Sequence, residues 1–251
     1  LAGGRVFLLA FRRFGKSSLI QETLRRMRTE ERVGTAYIDL YRASSERQFW
    51  EIFVSAVLAA GGGPVAQLVE WASKWIHVLN PRFSADSRTG EIAVTLGTPR
   101  TPADLDEIRA RALELPARLT KARKTKLVIA FDEFQEIRAL DGTRLEKTLR
   151  AAFQGHRQVG YLFAGSKPHL LRQMTDDPEA AFYRFGRILE LGVIAEPAFR
   201  PYLEARFRRA KIALAPESIP AVFRVSAGVP YYVMWLCHAL WPIGLRKSAL
   251  E

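Results

Sequence analysis

The sequence predicts an α/β fold whose mainly parallel sheet lies between helices in three layers, followed by a small all-helical domain. Apolar runs that end in small or polar residues, such as "KLVIAFDEF" (126–134), are typical of strands buried on both faces of a parallel sheet. These runs alternate with segments of helical periodicity, as parallel strands with crossover helices require. From about residue 196 onward the pattern is helical only.

The same patterns place the individual elements. An alternating segment at 81–97, centred on "SRTG", predicts a surface hairpin, so we interpret residues 61–102 as an insertion outside the core. We expect a core domain over residues 1–195 and a helical lid domain over 196–251. Strands are predicted at 4–11, 34–43, 126–134, from 159 and at 186–194, and helices at 17–30, 47–60, 64–79, 103–122, 144–156, 198–212, 216–228 and 229–247.

The chain is strongly basic, with 38 Lys and Arg against 26 Asp and Glu, a net charge of +12. Nucleic acid, acidic protein surfaces and polyphosphates are therefore plausible partners, and charge alone chooses none of them. The run "RFRRAK" (206–211) could neutralise nucleic-acid phosphates. It could equally be the wet face of a helix whose Tyr202, Leu203 and Phe207 point inward, and we favour this interpretation because no base-reading module is visible.

Cys237 is the single cysteine, which excludes an intramolecular disulfide and suits a reducing cytoplasm. Its apolar neighbours predict a buried thiol. The four histidines show no metal-ligand spacing with it, so we predict no structural zinc. The longest apolar runs are shorter than the roughly 20 residues that cross a bilayer, so we predict no membrane partner and a cytoplasmic location.

The segment "AFRRFGKSSL" (10–19) joins the first predicted strand to the first predicted helix. It matches the phosphate-binding pattern GxxxxGK[ST], the Walker A motif, except that Ala10 occupies the first glycine position. Backbone N–H groups at a helix N-terminus bind phosphate. Gly15 would let the backbone approach closely, Lys16 would reach the β- and γ-phosphates, and Ser17 would ligate Mg²⁺. The candidate nucleotide-binding residues are Ala10, Arg12, Arg13, Phe14, Gly15, Lys16, Ser17 and Ser18.

Two carboxylates follow the buried strand within "KLVIAFDEF", at the sheet edge where open parallel sheets bind ligands. Asp132 would hold the metal together with Ser17, directly or through water, and Glu133 would orient or deprotonate an attacking water. Ser166, at the end of the run "YLFAGSK", would reach the γ-phosphate or the water, or would simply end a strand. Arg187 would supply a positive charge to a γ-phosphate in the same or another subunit, and solvation is its alternative.

Taken together, these segments resemble the archaeal and bacterial ATPases of the STAND class, relatives of the AAA-type ATPases, whose loop reads like "GxRRxGKTSL". The likeness continues through "VIAFDEFQEI", "FAGSKPHLL" and "SAGVPYYV" and spans nearly the whole chain. It implies a P-loop NTPase core that binds ATP or ADP with Mg²⁺, with Pro230 near the adenine and a helical lid that closes. It also implies an effector protein or domain, and arginines acting across subunits would imply nucleotide-dependent self-association.

Three functions follow from this interpretation. The first is a slow, Mg²⁺-dependent ATPase that works as a molecular switch, because a switch needs two long-lived states. The second is a nucleotide-gated DNA-binding or loader protein with a basic surface. The third is a scaffold whose loop no longer binds nucleotide, for which Ala10 is the sole support.

Overall fold

In a computed structural model of the chain, residues 3–76, 80–85 and 92–248 are described. They form two compact units. The first contains the residues up to Leu9 together with Ser17–Leu189. The second contains Ala10–Lys16 together with the residues from Glu190 onward. The segment after the first strand is thus grouped with the C-terminal helices.

A five-stranded sheet forms the first unit's centre and confirms the predicted fold class. Its strand order is β2-β5-β6-β1-β7. The pairs β1–β6, β2–β5 and β5–β6 are parallel. The strands, numbered along the chain, are β1 (Arg5–Ala10), β2 (Gly34–Asp39), β3 (Arg82–Ala85), β4 (Ile92–Thr95), β5 (Leu127–Asp132), β6 (Val159–Gly165) and β7 (Arg187–Leu191), of which β3 and β4 pair separately as an antiparallel hairpin.

Helices follow the strands as predicted, with one addition. The segment after β6, interpreted from the sequence as part of a strand, turns into a short helix that begins at a proline. No helix among the described residues is long and apolar enough to cross a membrane. The helices are α1 (Lys16–Glu30), α2 (Glu46–Ala60), α3 (Val65–Ile76), α4 (Pro102–Arg123), α5 (Arg138–Gly155, kinked at Asp141 and Gly142), α6 (Pro168–Thr175), α7 (Glu196–Arg209), α8 (Ser218–Ser226) and α9 (Pro230–Ser248).

Successive residues of each strand point to opposite faces of the sheet, and the two faces pack against different helices. Phe7, Phe131 and Phe163 are buried in the main core, which also takes in side chains from α2, α4 and α5. On the opposite face, Val6 and Leu8 line a cavity together with residues of α1. The sheet therefore lies between two helical layers, and the ends of its strands are left at two opposite edges.

The predicted insertion turns out to be part of the core. Ile92, Val94 and Leu96 are buried in the same cluster as the sheet's aromatic residues. The Ser55 hydroxyl accepts a hydrogen bond from the Val94 N–H at 2.9 Å, and the Glu51 carboxylate accepts one from the Leu96 N–H at 2.9 Å. Polar atoms of α2 thus anchor β4, which period-2 alternation alone could not reveal. The turn predicted at 87–90 lies outside the described residues.

The C-terminal helices have a core of their own. Leu203, Phe207 and Cys237 are buried there as predicted, and burial raises the pKa of the Cys237 thiol. Tyr202 was predicted to point inward, but its side chain is 44% exposed. On α7 it lies one position before the buried Leu203 and therefore faces partly outward.

A buried histidine makes the first unit's stability depend on pH. His156 ends α5 and forms a hydrogen bond through Nδ1 with the Tyr161 hydroxyl. Burial, assisted by the positive charge of Arg5, lowers the pKa of His156 to about 4. The imidazole is therefore neutral in the folded protein at pH values where it would be charged in the unfolded chain.

We expect acid to destabilise the fold through His156. Because the folded pKa of about 4 lies below the unfolded value, stability is complete above the unfolded pKa and is lost as pH falls towards 4. This linkage is worth about 2 kcal/mol between about pH 7.5 and 5. Urea unfolding at both pH values should show wild type losing that much more stability than His156→Asn. Equal losses would contradict this account.

Candidate functional site

The end of β5 carries the first predicted carboxylate. All six residues of β5 are buried, and Asp132 closes the strand with its side chain only 2% exposed. Its neighbour in register on β2 is Asp39. A buried carboxylate requires several hydrogen-bond donors to offset the loss of its hydration.

Hydrogen-bond donors from different elements surround the Asp132 carboxylate. Oδ2 accepts hydrogen bonds from the Ser17 hydroxyl at 2.6 Å and from the Tyr37 hydroxyl at 2.7 Å. Oδ1 accepts one from the Glu133 backbone N–H at 2.9 Å. Burial raises the pKa of Tyr37, so its phenol remains a donor at neutral pH. The two residues predicted to share a metal, Ser17 and Asp132, are therefore in direct contact.

Glu133 and Ser166 are brought together at the same edge of the sheet. Glu133 has a left-handed backbone conformation with φ of 54°. Its Oε2 accepts hydrogen bonds from the Ser166 hydroxyl at 2.7 Å and from the Ser166 N–H at 3.1 Å. A left-handed non-glycine residue costs of order 1 kcal/mol or more, which indicates that the surrounding contacts fix this conformation. Ser166 thus acts as a donor to Glu133.

Gln135 is a site residue that the sequence reasoning missed. It is 3% exposed, and its Nε2 donates to Glu133 Oε2 at 2.7 Å and to Glu136 at 3.3 Å. Its Oε1 lies where a Cβ on Gly165 would come within 2.2 Å, so a larger residue at this position of β6 would displace the Gln135 amide. Lys167 forms an ion pair with Glu136 at 3.1 Å. The "DEFQ" segment contained the signal, since its glutamine follows the two acids after a single residue.

Tyr37 is the second missed residue. It lies on β2, two residues before the strand ends, and its hydroxyl reaches Asp132 on the neighbouring strand. A tyrosine in a strand is ordinary, so composition gave no reason to single it out. Only its position could have pointed to Tyr37. It lies near the end of β2, which runs parallel to β5 and ends in register with it.

The loop residues belong to the second unit. Ala10 is the last residue of β1; it is 2% exposed and is not among the residues with positive φ. Gly15 does have positive φ, at 80°. The glycine missing from the motif is therefore at a position where the backbone is compatible with alanine, and the glycine retained is at the position that needs one. Lys16 is buried and begins α1.

Arg13 connects the loop to the start of α9 within this unit. Its carbonyl accepts a hydrogen bond from the Tyr231 N–H at 3.2 Å. Its guanidinium lies 5.1 Å from the Tyr231 ring centre and 5.2 Å from that of Tyr232, and it donates to the Tyr232 hydroxyl. Pro230, the first residue of α9, precedes this pair. Of the other candidates, Arg12 and Ser18 are exposed and Phe14 is half-buried.

Arg187 lies elsewhere. A Cβ on its neighbour Gly186 would come within 2.6 Å of the Arg5 carbonyl, so β7 begins beside the start of β1. Arg5 is in register with Tyr161, whereas Leu9 is in register with Gly165, next to Ser166. Four strand residues, about 13 Å, separate these positions. The prediction that Arg187 reaches a γ-phosphate on the same chain does not fit this position, because sequence order cannot tell at which edge a strand begins.

Among the described residues, no group of three or more His, Cys, Asp or Glu side chains is arranged to hold a metal ion. Any ion bound at Ser17 and Asp132 would need further ligands from phosphate or water.

Comparison with solved structures identifies the fold. A Walker-type ATPase of Pyrococcus abyssi superposes with a TM-score of 0.60 at 18% identity over 97% of this chain and 66% of that one. The Aeropyrum pernix ORC2 protein, in ADPNP-ADP complexes, gives 0.59 at 16% identity over 99% and 62%. The A. pernix ORC1 protein in complex with DNA gives 0.59 at 15% identity over 97% and 55%.

These likenesses show that the chain has a P-loop NTPase fold with a helical C-terminal region. At these identities they show the fold alone. The chain spans about two thirds or less of the proteins it resembles. No protein-family model and no curated protein matches the sequence.

We expect Gly15→Ala to destabilise the loop. A Cβ at Gly15 would meet no atom within 4 Å, so the cost comes only from its φ of 80°, about 1 to 2 kcal/mol. Gly155→Ala is a matched control, because its Cβ also meets nothing but its φ is not positive. That change in α5 should be neutral or stabilising by up to about 1 kcal/mol. Chemical denaturation would measure the free energy of unfolding of both variants. Equal changes would contradict the view that the positive φ of Gly15 is the cause of its cost.

Proposed function

We propose that this protein binds ATP with Mg²⁺ and hydrolyses it slowly, as a molecular switch of the STAND type. The observation that carries the proposal is the 2.6 Å hydrogen bond between the Ser17 hydroxyl and the Asp132 carboxylate. Ser17 ends a Walker A pattern and Asp132 ends a buried strand, which are the positions whose oxygens hold the metal in P-loop NTPases. A chance match to the loop pattern would not explain this contact.

The two oxygens suit Mg²⁺ in chemistry and spacing. Octahedral coordination at about 2.0–2.1 Å places neighbouring ligand oxygens about 2.9 Å apart. The Ser17 and Asp132 oxygens are 2.6 Å apart, so a shift of a few tenths of an ångström would admit the ion in place of their hydrogen bond. Mg²⁺ usually binds one or two protein oxygens and completes its shell with phosphate and water. The bound ion would neutralise charge on the β- and γ-phosphates.

The loop would supply the phosphate contacts. α1 is 15 residues long, and its N-terminal N–H groups carry the positive end of the helix dipole. Lys16 at its first position would place an ammonium on the β- and γ-phosphates. Alanine at position 10 leaves this loop intact, because its backbone does not require glycine. Pro230 would lie near the adenine, as the family resemblance implies.

Glu133 would orient the attacking water. Its carboxylate is already held by Ser166 and Gln135, so a water must share it with these donors. Ser166 is then a positioning residue for Glu133. A shared carboxylate is a weaker base than a free one, which fits the slow turnover expected of a switch.

The solved neighbours also support nucleotide binding, because the ORC2 protein was seen with ADPNP and ADP. A DNA-related function is the second candidate, favoured by the likeness to an ORC1 protein in complex with DNA. A nucleotide-free scaffold is less well supported. Its one argument is Ala10, and the backbone at that position does not have the positive φ that would require glycine.

We expect Lys16→Ala to weaken Mg²⁺-dependent ATP binding at least about tenfold, because the lysine is the only cationic side chain of the pattern itself. Isothermal titration calorimetry would measure the affinity. Lys147→Ala, an exposed lysine of α5, is the matched control and should bind like wild type. Ala10→Gly should also stay within about twofold. Saturable binding that survives Lys16→Ala unchanged would rule out the loop as the site.

We expect Glu133→Gln to lower the rate of ATP hydrolysis by about 100-fold or more while ATP affinity changes little, because the amide keeps the hydrogen bonds and loses the base. Phosphate release under saturating ATP would measure the rate. Glu136→Gln, which alters a neighbouring carboxylate paired with Lys167, is the control and should retain most activity. Equal losses of hydrolysis rate in both variants would show that Glu133 has no specific role in hydrolysis.

A further inference from the structure

Cations lie along the end of the sheet where its strands begin, which is opposite the end that carries Asp132. Each strand of the five-stranded sheet begins at a basic residue or follows one within two positions along the chain. In the order in which the strands lie side by side, these residues are Arg32, Lys126, Arg157, Arg5 and Arg187. With strands about 4.8 Å apart, the row is about 19 Å long.

Three grooves along this edge join into one basic surface. Arg28, Arg32 and Arg123 line the first groove, and Arg32, Lys124 and Lys126 line the second. The third contains Lys121, Lys124 and Arg157. Arg32 belongs to the first two grooves and Lys124 to the last two, so each groove shares a cation with the next. Among their described lining residues, Glu31 is the one acid against seven cations.

Helix stability explains part of this charge but not all of it. Arg28, Lys121 and Arg123 lie in the last turns of α1 and α4, where cations stabilise the helix dipole. Arg32, Lys126 and Arg157 lie after the last turns of α1, α4 and α5, in the connections that lead into strands. All three are exposed and none forms an ion pair within the described part of the chain. The helix dipole therefore does not by itself explain why these positive charges lie on this surface.

We propose that this edge binds the phosphodiester backbone of duplex nucleic acid. A duplex carries one negative charge per about 1.7 Å of axis, so about 19 Å of it carries about 11 charges on its two strands. None of the described residues that line the three grooves is Phe, Tyr or Trp, the side chains on which unpaired bases stack best. The surface therefore fits sequence-independent contact with phosphates. It does not depend on the proposed nucleotide site, which uses the other edge.

Fluorescence anisotropy with a labelled DNA duplex of about 30 base pairs, titrated with the full chain between about 50 and 200 mM salt, would test this surface. The edge variant combines Arg32→Gln, Lys124→Gln, Lys126→Gln and Arg157→Gln. The control variant removes the same charge from α7 and its end: Arg206→Gln, Arg208→Gln, Arg209→Gln and Lys211→Gln. Circular dichroism melting would establish that both variants fold.

We expect wild type and the control variant to bind with similar affinity and the edge variant to bind at least about tenfold more weakly. Four lost phosphate contacts would reduce the slope of log K against log salt by about 3 to 4. An RNA duplex in place of DNA would show which duplex is preferred. The proposal is overturned if wild type does not bind, if the edge variant binds as wild type does, or if the control variant is the one that loses binding. It is also overturned if phosphatidylserine vesicles bind wild type and duplexes do not.

Discussion

The buried carboxylate of Asp132 is the contact on which the candidate site depends. It joins α1 through Ser17, β2 through Tyr37 and its own chain through the Glu133 N–H. An unpaired charge in this position would cost several kcal/mol, so the three donors are a condition for burying it. Because they come from separate elements, satisfying Asp132 also sets where α1 begins relative to the ends of β2 and β5.

The second carboxylate is held differently. Glu133 turns away from the strand direction with a left-handed backbone, and its side chain reaches Ser166 at the end of the adjacent β6. Two consecutive acids therefore serve different neighbours, one on each side of β5. This division is what the proposed roles of Asp132 as a metal ligand and Glu133 as a water-binding residue require. The register of the parallel strands makes it possible, since the strand ends lie at one edge.

Much of the fold could be predicted from the sequence because buried parallel strands are continuous apolar runs. β5 and β6 are the clearest cases. The loop and both acids could be predicted for the same reason, since they end those runs. Tyr37 and Gln135 could not, because their importance arises from neighbours distant in the chain. Arg187 shows the opposite error. It is close to a motif in sequence, yet it lies where the strands begin, whereas the candidate site lies where they end.

The hairpin and Ala10 show why pattern alone misleads. β4 alternates like a surface strand, yet its apolar side packs on α2 and its backbone is anchored by Ser55. Ala10 breaks a motif written in residue types, yet the motif's physical demand at that position is only small size and extended backbone. In both cases the missing information was what lies next to the residue in space.

The division of the chain into units has a consequence for how it can be shortened. The loop of Ala10–Lys16 is grouped with residues from Glu190 onward, so one unit is assembled from two distant pieces of sequence. The Tyr231 N–H that holds the Arg13 carbonyl comes from the later piece. A fragment ending near Leu189 would keep every residue of the phosphate-binding pattern and lose the partner of the Arg13 carbonyl. Because ribosomes release the N-terminal piece first, the hydrogen bond between the Arg13 carbonyl and the Tyr231 N–H can form only after the start of α9 has been synthesised.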